Sequence, residues 1–71
     1  MNGLTVGRIV HYVDMEGIHR PCVITWVWNE AGTVNLYMFR DAFQDVDDVT
    51  LSSINFDDNQ TADSWHWIER S

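Results

Sequence analysis

Apolar and polar positions alternate through the first half of the chain, and β-branched residues are frequent there, which predicts strands. The first strand is expected over residues 5–13. Val6, Arg8, Val10 and Tyr12 fall on one face, and Ile9, His11 and Val13 on the other. Asp14-Met15-Glu16-Gly17 supplies turn residues. A second strand is expected over residues 20–28, with Pro21 at its start, where a missing N–H does least harm. Simple alternation puts Cys22, Ile24, Trp26 and Trp28 on one face and Val23, Thr25 and Val27 on the other. Both faces are apolar, so this strand should be covered on both sides. Asn29-Glu30-Ala31-Gly32 reads as a hairpin loop, with Gly32 free to take a positive φ. The third strand, residues 33–39, should pair back on the second. Residues 40–48 form an acidic connection with room for one helical turn. A fourth strand over residues 49–54, a loop over 55–63 and a short fifth strand over 64–68 complete the pattern. The expected fold is all-β: a small five-stranded barrel or a strongly bent antiparallel sheet. The alternative is an open sheet completed by dimerisation. A closed barrel removes the exposed edges that a sequence without lysine protects poorly.

Size and charge narrow this further. The chain has 71 residues, which suits a single domain over residues 1–71 with a marginal core. Cys22 is the only cysteine, which excludes an internal disulfide and favours a reducing compartment. The opening Met1-Asn2-Gly3-Leu4 reads as no signal peptide. No apolar stretch approaches the ~20 residues of a membrane span. Eleven acids face four basic residues, all arginines (Arg8, Arg20, Arg40, Arg70), for a net charge of −7. Such a chain repels phosphate backbones and anionic bilayers, so neither a nucleic-acid polymer nor a membrane is an expected partner. Arginine without lysine nevertheless suits bidentate recognition of a small phosphate or carboxylate.

The pattern of residues resembles two groups of proteins. Gly7-Arg8-Ile9-Val10, Gly17, Arg20-Pro21, Gly32-Thr33-Val34-Asn35-Leu36 and Phe39-Arg40-Asp41 follow the order seen in SH3-like barrels of the Tudor kind. This resemblance implies the barrel fold. It implies no methyl-side-chain cage, because Asp41 is followed by Ala42-Phe43 and not by an Asp-Tyr-Gly-like turn. The ends of the chain, Gly7-Arg8-Ile9-Val10-His11-Tyr12-Val13 and Trp65-His66-Trp67-Ile68-Glu69-Arg70, resemble a group of small bacteriophage proteins of unassigned function. Ile68 stands where that group has proline. This resemblance implies a phage origin, an infected bacterial cytoplasm as the place of action, and a counter-defence role such as sequestering a nucleotide signal or blocking a host protein.

Catalysis finds no support in the residues. Cys22 lies on a strand expected to be buried, no glycine elbow surrounds a serine, and Asp45, Asp47 and Asp48 belong to a solvated run. No cofactor or metal is expected. His19-x-x-Cys22 has a suggestive spacing but no second pair follows it, and His66 lies far away in sequence. The acids between Asp41 and Asp63 interleave with Phe43, Val46, Val49 and Phe56, which weakens a reading as DNA mimicry.

The aromatic residues carry the functional expectation. Trp26 and Trp28 repeat the spacing of Trp65 and Trp67, and alternation leaves open which pair is interior. Rings to stack on a base and arginines to grip a phosphate make Arg8, His11, Tyr12, Trp26, Trp28, Trp65, His66 and Arg70 the candidate ligand-binding residues. Two readings follow: a homo-oligomer that sequesters a small anionic, nucleotide-like molecule, or a protein–protein interaction module acting on a host protein or within a virion. An excess of aromatic residues on so short a chain needs cover, so self-association is expected in either case.

Overall fold

The computed structural model describes residues 1–39 and 49–68. Five strands form: β1 (Ile9–Val13), β2 (His19–Val27), β3 (Val34–Met38), β4 (Val49–Phe56) and β5 (Ser64–His66). They close into a barrel in the order β1-β2-β3-β4-β5. All neighbours are antiparallel except β4 and β5, where Asn55 pairs with Ser64 and Phe56 with Trp65 in parallel. Closure comes from β5 returning to β1, with Tyr12 opposite Trp65 and Val13 opposite Ser64. The architecture is all-β and consistent with a small SH3-like barrel. No described helix is long and apolar enough to cross a membrane.

The inward face of each strand supplies the core. Val10 and Tyr12 of β1, Cys22 and Ile24 of β2, Val34, Leu36 and Met38 of β3, Ile54 of β4 and Trp65 of β5 pack together, all buried. Burial in this apolar setting pushes the Cys22 thiol up to about 12, which keeps it protonated and inert at neutral pH.

Two bulges interrupt the alternation. In β2 the pairing runs Ile24↔Leu36 and then Trp26↔Asn35, so Thr25 is an extra residue without a partner. One inserted residue reverses the in–out sense of everything after it. Trp26 and Trp28 therefore point outward, and Val27 turns in to pack against the core. This corrects the face assignment expected from simple alternation, which grouped both tryptophans with Cys22 and Ile24. In β4 the pairing jumps from Leu36↔Leu51 to Val34↔Ile54, leaving Ser52 and Ser53 opposite Asn35. Ser53 adopts φ 58° there. The Asn35 side chain joins the two bulges: its Oδ1 accepts from Ser53 N at 2.9 Å and from Trp28 Nε1 at 2.8 Å.

The β2–β3 hairpin turns at Gly32, whose φ of +107° suits glycine. A Cβ at this position would lie 2.7 Å from the Cβ of Phe56. The Gly32 carbonyl accepts the Trp65 indole N–H at 2.6 Å, which ties the hairpin to the core tryptophan. At the opposite end of the barrel, Asp14 organises the β1–β2 turn. It accepts from the amides of Glu16 and Ile18 and from Arg20 Nε at 2.8 Å. Residues 40–48, including the expected acidic connection and the acids Asp45, Asp47 and Asp48, lie outside the described residues.

Candidate functional site

Beyond His11 and His19 at its β5 side, the outer wall formed by β1, β2 and β3 is mostly apolar, and none of its described side chains is an acid, a lysine or an arginine. Register places Ile9 opposite Val23, and Val23 opposite Tyr37, so these three share one outward row. Beside it Phe39, which donates its N–H to the Pro21 carbonyl, extends the surface. Tyr37 and Phe39 meet edge to face at 6.1 Å. Past the Thr25 bulge stand Trp26 and Trp28, 54% and 57% exposed, their rings edge to face at 6.3 Å. The hydrogen bond to Asn35 fixes the Trp28 indole, so this surface is held in place and not left to rotate freely. The described acids are elsewhere: Asp14 and Glu16 in the β1–β2 turn, Glu30 in the hairpin, and Asp57, Asp58 and Asp63 between β4 and β5.

The other tryptophan pair has a different setting. Trp65 is 0% exposed, enclosed by the barrel, with Phe56 and Trp67 edge to face against it, each at 5.0 Å. Trp67 closes the end of the barrel near the N-terminal residues. The Arg8 guanidinium lies 5.3 Å from the Trp67 ring centroid, a cation–π contact. Around them Gly7, Ile9 and Ile68 complete an open cleft of about 570 Å³.

The eight residues expected to bind ligand are therefore distributed over the molecule. Trp26 and Trp28 are on the outer wall and Arg8 is at one barrel end. Trp65 is in the core. Tyr12 is also interior, and its hydroxyl donates to Asp63 Oδ1 at 2.7 Å. Burial, and then Asp63, raise the Tyr12 pKa well above the ordinary phenol value, so it remains a neutral donor. Arg70 lies outside the described residues. Among the described candidates three pairs meet: Trp26 with Trp28 on the outer wall, Tyr12 with Trp65 inside the barrel, and His11 with His66, directly opposite each other on β1 and β5. The sequence reading missed their third neighbour, His19, whose ring centroid is 4.8 Å from that of His66.

Two further features bear on chemistry. The spacing His19-x-x-Cys22 makes no common site, because residues three apart on a strand face opposite sides: Cys22 is in the core and His19 is outside. Arg20, absent from the expected site, is nearly buried where a cleft of about 720 Å³ opens beside Tyr12, Met38 and Leu51. Its Nε is engaged by Asp14. Burial pushes the Asp14 carboxyl up, but the Ile18 amide, Arg20 and the Glu16 amide outweigh this and hold it below the ordinary value. This pair is a strut for the β1–β2 turn. Compared with known proteins, the chain matches no family model, no curated protein and no solved structure.

Proposed function

We propose that this protein is a non-enzymatic binding module that self-associates through the uncharged aromatic outer wall of β1–β3. The observation that carries this reading is the exposed Trp26–Trp28 pair, held by Asn35 and continuous in register with Val23, Tyr37 and Phe39. Large exposed aromatic surface is costly in water, and tryptophan and tyrosine concentrate binding energy at interfaces. A chain with a net charge of −7 repels its own copies over most of its surface. This wall carries no acid, lysine or arginine among the described residues, so two copies approach there at low electrostatic cost. Light scattering on the full chain tests this. An assembly of two or more chains at micromolar concentration is expected, together with a folded monomer for the double variant Trp26→Ser/Trp28→Ser. A monomeric parent protein removes the proposal.

A second reading rests on the Arg8–Trp67 cleft, which supports capture of a small anionic, nucleotide-like molecule by such an assembly. Arginine over an indole presents a fork to phosphate beside an apolar floor. The resemblance to small bacteriophage proteins supports placing this activity inside an infected bacterium, as a counter to host defence. Native mass spectrometry with cyclic and linear nucleotides tests it. A stoichiometric complex that Arg8→Ala abolishes without unfolding is expected, and a panel that leaves the protein unliganded excludes it.

A further inference from the structure

All three histidines of the chain meet on the outer wall where β5, β1 and β2 run side by side. His11 of β1 is directly opposite His66 of β5. On the other side of β1, His11 is opposite Pro21 and Val13 is opposite His19, so His19 approaches His11 diagonally. In register, these side chains share the outward face. The ring centroids lie 5.6 Å apart for His11 and His66, 4.8 Å for His19 and His66, and 6.1 Å for His11 and His19. One nitrogen of each imidazole lies within 4.8 Å of the others. The three differ in exposure: His66 is buried, His11 is half-buried and His19 is exposed.

We propose that His11, His19 and His66 form a binding site for a divalent transition metal ion, Zn²⁺, with a fourth coordination position open to solvent beside His19. Three neutral imidazoles suit zinc and its borderline neighbours, whereas calcium and magnesium require oxygen donors. At Zn–N distances of ~2.0–2.1 Å, tetrahedral ligand nitrogens stand ~3.4 Å apart. The ligand atoms now lie within 4.8 Å of one another, and His19, the exposed member, has the most room to turn toward that spacing. All three ligands sit on paired backbone, His11 and His66 in the barrel's closing pairing and His19 opposite Val13. The negative charge of the chain raises the local concentration of cations. Cys22 is excluded as a ligand because its thiol faces the core.

Isothermal titration of the full chain with zinc chloride tests the site. One Zn²⁺ per chain is expected, together with a zinc-dependent rise in Tm, since a ligand bound only by the folded state stabilises it. His19→Ala should remain folded, because its side chain is exposed, and should lose at least tenfold in affinity. Cys22→Ala should bind zinc like the parent. Co²⁺ in the parent protein should give the intense visible bands of a four-coordinate ion, and His19→Ala should lose them. Absence of stoichiometric zinc binding, or a folded His19→Ala variant that binds zinc as tightly as the parent, overturns the proposal.

Discussion

The two Trp-x-Trp pairs look alike in sequence and have opposite fates. In Ser64-Trp65-His66-Trp67, undisturbed alternation from the closing strand puts Trp65 at the centre of the core, with its indole N–H satisfied by the Gly32 carbonyl. In Thr25-Trp26-Val27-Trp28, one extra residue turns both rings to the outside. The difference lies in register and not in composition. The hydrophobicity of a tryptophan does not decide its side of a sheet; its parity relative to the strand does. The first pair builds the domain, and the second stands exposed outside its core.

The contrast predicts its own tests, beginning with the core. Trp65→Ala should cost ~3–5 kcal/mol, as expected for a large core truncation, and denaturant melts should show the domain close to unfolded in water. Gly32→Ala combines φ +107° with a Cβ clash against Phe56. It should cost on the order of 1–3 kcal/mol by the same measurement. Asn35→Ala removes the acceptor shared by Trp28 and Ser53, at about 1 kcal/mol, and should also increase the mobility of the Trp28 indole in NMR relaxation. Trp26→Ser and Trp28→Ser should change the stability of the monomer least, within roughly 0.5–1 kcal/mol, while altering association most. A stability loss from these two that matched Trp65→Ala would erase the distinction between the pairs.

The β1–β2 turn adds a pH dependence that does not involve the tryptophans. The Asp14 pKa is lowered in the folded protein, so its contribution is present above the ordinary aspartate value and is lost as pH falls through the folded value. Thermal melts from neutrality into acid should therefore show stability falling below about pH 4, and Asp14→Asn should flatten that limb.

Much of the fold is legible in the sequence. Alternation groups Val10 with Tyr12, Cys22 with Ile24, and Leu36 with Met38 on common faces without telling which face is inward, and Gly32 marks the hairpin. β4 extends to Phe56, beyond the expected end at residue 54, because Asn55 and Phe56 pair with Ser64 and Trp65 of β5. The Thr25 bulge is not legible, because threonine is an ordinary strand residue and no glycine marks the insertion. The histidine cluster is hidden for a related reason. Its members come from three strands, and only the β5–β1 closure brings the two ends of the chain together. The one local cue, His19-x-x-Cys22, points to opposite faces of a strand.

The most direct test of the central claim follows the four indole N–H resonances by NMR through a dilution series of the full chain. The Trp26 and Trp28 signals should shift with concentration as the outer wall is covered and uncovered, while Trp65, bonded inside the barrel to Gly32, stays fixed. Concentration-dependent shifts at Trp65 and Trp67 with Trp26 and Trp28 unmoved, or no shift at any of the four, would contradict the account.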